Sequence, residues 1–232
     1  MEAIILAGGL GTRLRSAVPD MPKCMAPVNG IPFLSFVIAH LQKNGIEHFI
    51  FSLGYKSEMI TRFLDTNYQH MRKIYVVENE QCGTGGAIKK ACKFVVAKNV
   101  IVVNGDTLFT IDIGKLISVH NKHNADCTIA LKLLKNCSRY GTVTVNSQSL
   151  VKAFAEKNQH GQGYINGGIY ALHVNSFLNE ALPVKFSFEK DWLEKKFGIK
   201  KFYGVKNNKY FIDIGVQEDY ERAKAELINV KI

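Results

Sequence analysis

An apolar strand that runs into Gly8, Gly9 and Gly11 is followed at once by Thr12, Arg13 and Arg15, and then by Lys23 after Pro22. Glycines placed after a strand let backbone approach a ligand closely, most often a phosphate, and the cations beside them say what the phosphate is for. The residues exclude two familiar phosphate loops. A Rossmann fingerprint needs a third glycine where this chain has Leu14, and a P-loop needs Gly-Lys followed by Ser or Thr. Cys24, Cys82, Cys92, Cys127 and Cys137 form no CxxC pair and have no nearby His at zinc-ligand spacing, so they read as reduced thiols.

The elements that must position these residues alternate. Short β-branched runs at residues 3–6, 49–53, 74–77 and 100–103 read as buried strands. Residues 33–43, 57–64 and 87–96 carry apolar side chains three and four apart, as amphipathic helices do. Such a βαβ series predicts a parallel sheet covered on both faces, with the site at the carboxyl ends of its strands. After about Asp126 the pattern becomes strands at 127–134, 141–145, 151–155 and 164–172, a helix at 188–197, strands near Phe202 and Phe211, and a helix at 216–228. This second half reads as a mixed extension of the same sheet. No repeat or Pro, Gly or Ser-rich linker divides the 232 residues, so one α/β domain is expected, with a nucleotide-binding half of about 1–125 and a second half of about 126–232.

A formal net charge of +10 suits nucleic acid, a membrane surface, small anionic substrates or simply solvated lysines, and 47% apolar with 22% charged residues describes a globular chain. Its basic pairs are scattered, without a long basic run or an aromatic RNA-binding signature, so nucleic acid is not an expected partner. No apolar run approaches the roughly 20 residues of a membrane span, and no leader precedes the first strand, so a cytoplasmic protein without a membrane partner is expected.

The segment LAGGLGTRLR followed by PKCMAPVNGIPFL resembles the signature of the sugar-1-phosphate nucleotidylyltransferases. The resemblance implies a Rossmann-like, doubly wound mixed α/β sheet of the nucleotidyltransferase type, and the chain length predicts no carboxyl-terminal β-helix. It also implies that Leu6, Ala7, Gly8, Gly9, Gly11 and Thr12 hold the nucleotide, that Arg13 stabilises the departing pyrophosphate, and that Lys23 binds the α-phosphate. Gly83-Thr84-Gly85-Gly86-Ala87 matches the family's base-binding turn, with Gly83 and Thr84 as contacts. Asp106, after a strand, and Asp213, in Phe211-Ile212-Asp213-Ile214-Gly215, match its metal ligands, with Mg²⁺ the implied cofactor. Gly141, Glu156, Lys157, Asn166 and Gly168 match positions that meet the sugar phosphate. These matches span residues 3–215.

In such a reaction a sugar phosphate oxygen attacks the α-phosphorus in line while pyrophosphate leaves. That nucleophile is already an anion, so no general base or covalent intermediate is required, and none of the histidines or cysteines stands in the motifs as a nucleophile and base pair. Glu78 and Glu80 stand just ahead of the glycine turn. An ionised Glu only accepts hydrogen bonds, which suits the adjacent N1–H and N2–H donors of guanine and favours GTP. The turn and the compact length resemble the bacterial guanylyltransferases of D-glycero-α-D-manno-heptose 1-phosphate, which serve surface glycan synthesis. Mannose 1-phosphate guanylyltransferase and a uridylyl or cytidylyl enzyme stand as alternatives. So does a non-catalytic nucleotide-binding module, although it would be expected to lose one of Arg13, Lys23, Asp106 and Asp213. A nicotinamide-dependent oxidoreductase would share the glycine loop but not the two cations. Oligomeric state is open, a homo-oligomer included.

Overall fold

The run Ala3-Ile4-Ile5-Leu6-Ala7 has no polar side chain, and a strand of that kind must be covered on both faces. The computed structural model, which describes residues 1–9, 14, 18–155 and 161–228, places it inside a mixed sheet as β1 (Glu2–Ala7). Next come the hairpin of β2 (Pro27–Val28) and β3 (Ile31–Pro32), then α1 (Phe33–Lys43), β4 (His48–Leu53), α2 (Ser57–Asn67) and β5 (Arg72–Val77). Asn29 and Gly30, at φ 52 and 82, close the hairpin with the paired left-handed residues that a tight turn requires. α1 buries Phe33, Leu34, Val37, Ile38 and Leu41 on one stripe and ends at Gly45, whose positive φ stops the helix.

The chain continues through α3 (Gly83–Cys92), β6 (Asn99–Asn104), β7 (Thr107–Phe109), α4 (Ile113–Lys122), β8 (Cys127–Leu134), β9 (Thr142–Val145), β10 (Val151–Ala155) and β11 (Gly163–His173). After α5 (Val174–Leu178), a wide π-helical turn, Phe188–Leu193, runs into α6 (Glu194–Lys196), and β12 (Phe202–Asn207), β13 (Phe211–Asp213) and α7 (Gln217–Glu226) follow.

Among the described residues the main sheet has nine strands. β5, β4, β1 and β6 lie side by side and parallel, β11 joins β6 antiparallel, and β8 and β12 continue beyond β11. β9 and β10 pair beside the amino-terminal part of β11. Alternate side chains feed two cores. Ile5, Phe49, Phe51, Ile101 and Val103 point to the side of α1, while Ile4, Ile50, Val100 and Val102 point to the side of Ile88, Phe177 and Trp192.

Among the departures from the sequence expectation, three have a readable physical cause. α3 begins on the glycines at 83 and ends at Cys92 rather than spanning 87–96, because packing from outside the helix offsets the poor helix propensity of glycine. α4 was not foreseen: Gly114 falls in its first turn and the buried His120 completes its stripe, so an apolar-only pattern misses it. Its start is nevertheless marked by Asp112, which accepts from the Lys115 N–H at 3.0 Å. The strand near Phe211 does not join the main sheet. As β13 it pairs antiparallel with β7 in a separate two-stranded ribbon.

Candidate active site

β1 is flanked by β4 on one side and β6 on the other, so the chain leaves it in opposite directions and a crevice opens at the carboxyl ends of β1 and β6. A pocket of about 470 Å³ occupies this crevice. Its floor comes from Leu6 in β1 and Gly8 and Gly9 after it, Ser52 in β4, and Asn104 at the end of β6 with Asp106 after it; its wall comes from Glu78, Gln81, Gly83, Thr84, Ala87 and Lys185. Gly8 must be small because the backbone after β4 crosses it: a Cβ there would stand 3.1 Å from the Gly54 nitrogen.

The wall is built from two segments clamped together. The Phe186 N–H donates to the Cys82 carbonyl at 3.0 Å, and the Gly85 N–H donates to the Phe186 carbonyl at 3.0 Å. A Cβ on Gly85 would fall 2.1 Å from the Phe186 ring, and one on Gly83, at φ 71, would fall 2.4 Å from the Phe186 carbonyl oxygen. The glycines of this turn therefore admit a strap of protein, while Gly83 and Thr84 still face the pocket. Glu78 lines the same wall. Its Oε2 accepts from the Cys82 N–H at 3.3 Å, and its Oε1 is buried without a hydrogen-bond partner among the described residues. Glu80 is exposed and is not among the pocket-lining residues.

Around Asp106, residues far apart in sequence converge. The β7–β13 ladder sets Thr107 opposite Asp213, and the Ile214 N–H donates to the Asp106 carbonyl at 3.1 Å, which brings Asp106 and Asp213 together. Lys23, in a short helical turn after Pro22, places its Nζ 2.5 Å from Asp106 Oδ2 and 3.6 Å from Asp213 Oδ1. Burial, and next the charge of Asp106, push the Asp213 carboxyl above its ordinary range, with Lys23 pulling the other way. Asp213 Oδ1 is itself buried without a hydrogen-bond partner among the described residues.

On the far side a bulge interrupts the pairing of β11 with β8 between Asn166 and Tyr170. Within it Asn166 Oδ1 accepts from the Gly168 N–H at 3.0 Å, and Gly168 packs against the Asn104 side chain. Gly141 precedes β9 and lies against the Ala155 carbonyl. Tyr140 beside it stacks edge-on to Phe211 at 6.4 Å, and its hydroxyl is raised by burial and then by Asp213.

The structure thus gathers Leu6, Gly8, Gly9, Glu78, Gly83, Thr84 and Asp106 around one pocket, with Lys23 and Asp213 set beside Asp106. Ala7 is buried in the core behind the pocket. Gly11, Thr12, Arg13, Glu156 and Lys157 lie outside the described residues. Ser52, Gln81, Asn104 and Lys185 were missed as site residues. A serine inside the otherwise apolar run Phe49-Ile50-Phe51-Ser52-Leu53 was a readable signal, whereas Lys185 carried none.

The sequence matches the family model described as nucleotidyl transferase over residues 2–230. It is 50% identical over 227 residues to the D-glycero-alpha-D-manno-heptose 1-phosphate guanylyltransferase of Aneurinibacillus thermoaerophilus, covering 98% of each chain. It is 46% identical over 220 residues to the protein of the same name from Campylobacter jejuni subsp. jejuni serotype O:2, covering 95% of this chain and 97% of that one. The crystal structure of HddC from Yersinia pseudotuberculosis complexed with GMP-PN is similar at a TM-score of 0.87 and 37% identity, covering 97% of this chain and 99% of that one.

Proposed function

The chain belongs to the nucleotidyl transferase family, and from that premise we propose that it transfers the guanylyl group of GTP to D-glycero-α-D-manno-heptose 1-phosphate, releasing pyrophosphate and forming the GDP-sugar. The substrate pair is supported by the full-length identities of 50% and 46% to guanylyltransferases of that sugar. The observation that carries the chemistry is the convergence of Lys23 and Asp213 on Asp106, which lines the pocket.

In this reading the backbone of Gly8, Gly9 and Gly11, with Thr12, wraps the triphosphate, and Arg13 stabilises the leaving pyrophosphate. The unpaired Glu78 Oε1 accepts from guanine N1–H or N2–H, and Gly83 and Thr84 lie against the base. Glu78, which lines the pocket, takes the role that the sequence shared between Glu78 and Glu80. Lys157 and Glu156 meet the sugar phosphate, and Asn166, Gly168 and Gly141 meet the sugar. Lys23 presents its ammonium where the α-phosphate must sit and offsets the charge of two phosphates brought together. The family generally uses a divalent metal, and Mg²⁺ is the ion proposed here. The residues fit it: Asp106 and Asp213 turn carboxylate oxygens toward one cation, the Lys23 ammonium, that of Asp213 having no hydrogen-bond partner, and no third His, Cys, Asp or Glu joins them among the described residues. Mg²⁺ suits such a pair because it takes most of its shell from phosphates and water, and when bound it neutralises charge on the reacting phosphates.

No base is assigned, because the attacking phosphate oxygen is already charged; positioning and electrostatic stabilisation do the work. A role in surface glycan synthesis is proposed for the product. A cytoplasmic location is proposed, and no helix among the described residues is long and apolar enough to cross a membrane. The test is pyrophosphate release from D-glycero-α-D-manno-heptose 1-phosphate with Mg²⁺ and each of GTP, ATP, UTP, CTP and dTTP. Release with GTP is expected. Release only with another nucleotide would overturn the role of Glu78, and release with none would overturn the reaction.

A further inference from the structure

One carboxylate between the base wall and the sugar-side bulge has no part in the chemistry above. Glu189 Oε2 accepts from Thr84 Oγ1 at 2.8 Å and from Ser187 Oγ at 3.1 Å, and its Oε1 accepts from the Tyr170 hydroxyl at 3.3 Å. The Tyr170 oxygen in turn accepts from Asn166 Nδ2 at 2.8 Å, while Asn166 Oδ1 takes the Gly168 N–H. We propose that Glu189 is a positioning residue that sets the nucleotide side and the sugar side of the site together, holding Thr84 with one oxygen and Asn166 with the other through Tyr170.

The surroundings leave this relay little freedom. Tyr170 is buried, so its hydroxyl remains a proton donor, and Asn166 already fills one of its acceptor positions. Glu189 is aimed by the wide turn that starts at Phe188. The Phe188 ring packs 5.0 Å from those of Tyr170 and Trp192 and 5.5 Å from that of Phe177, and the Phe188 N–H donates to Thr84 Oγ1 at 2.9 Å. Thr84 thus receives an N–H from this turn and donates to its carboxylate, fixing both the base wall and the strap.

The proposal rests on assigning Thr84 to the nucleotide and Asn166 to the sugar phosphate, and the experiment separates the two. Steady-state KM for GTP and for the heptose 1-phosphate is measured in Glu189→Ala, Glu189→Gln and Tyr170→Phe, with Thr84→Val and Asn166→Ala as references. Glu189→Ala is expected to raise both KM values, each roughly tenfold, the scale of losing hydrogen bonds to a charged group. Glu189→Gln keeps one acceptor end and turns the other into a donor, so it is expected to recover one of the two losses and leave the other. Tyr170→Phe breaks only the sugar-side branch and is expected to raise KM for the sugar phosphate and leave that for GTP unchanged. Tyr170→Phe shifting both KM values or neither, or Glu189→Gln with Tyr170→Phe lowering only thermal stability, overturns the relay whether or not Glu189→Ala folds. Should Thr84→Val leave KM for GTP unchanged, or Asn166→Ala leave that for the sugar phosphate, the assignment of the two sides fails instead.

Discussion

Asp213 is held against its own preference. Burial and the charge of Asp106 raise its carboxyl above the ordinary range, and Lys23 and the Gly215 backbone only partly oppose them. Between its unfolded value and its raised folded value the native state binds more protons than the unfolded one, so stability falls as pH rises through that interval. Asp213→Asn is therefore expected to raise the thermal midpoint of the metal-free protein at neutral pH, a gain that disappears below the ordinary carboxylate range. Its turnover should fall about a hundredfold to a thousandfold, the scale seen when one transition-state stabiliser is lost. Melting curves across pH check the first effect and pyrophosphate release the second; a destabilised variant or near-normal turnover contradicts the role given to Asp213. Glu78→Gln replaces an acceptor-only carboxylate by an amide with one acceptor and is expected to raise KM for GTP roughly tenfold with kcat little changed, as initial rates would show. The motifs were legible at this scale because they are contiguous. That Lys23 sits between two carboxylates was not, because 83 residues separate it from Asp106 and a ladder between two three-residue strands supplies the contact.

Among the elements, the glycine turn illustrates what a motif does and does not say. Its sequence pointed to backbone exposed to a base, and Gly83 and Thr84 do face the pocket, but Gly85 is buried beneath Phe186. Gly85→Ala is expected to cost about 1–3 kcal/mol, as other overpacked sites do, and to raise KM for GTP by displacing the wall. Phe186→Leu in the same chain should recover part of the stability by making room, which paired melting curves would detect; an unperturbed Gly85→Ala protein would show that the strap does not need the glycine. The long strands and α1 were readable because their apolar periodicity survives unbroken. The helix start at Gly83, α4 and the β7–β13 ribbon were not, because tertiary packing, a buried histidine and very short pairing override local pattern.

For the whole molecule, the order β5-β4-β1-β6 places the crevice at the reversal beside β1, and the antiparallel strands beyond β6 carry the bulge with Asn166 and Gly168 to the same crevice. In the proposed reading, base and sugar contacts come from opposite halves of the chain and meet near Asp106 and Asp213. The switch from βαβ units to short-turn strands near Asp126 was legible in the sequence. The sugar was not, because counting its carbons depends on the volume between segments that only the folded chain brings together. The central claim is that this volume admits a heptose 1-phosphate charged with GTP. The most direct test supplies D-glycero-α-D-manno-heptose 1-phosphate and mannose 1-phosphate together, at equal concentration, with limiting GTP and Mg²⁺, and reads the ratio of the two GDP-sugars by mass. The heptose product is expected to predominate; a mixture dominated by GDP-mannose, or no GDP-sugar at all, would contradict the account.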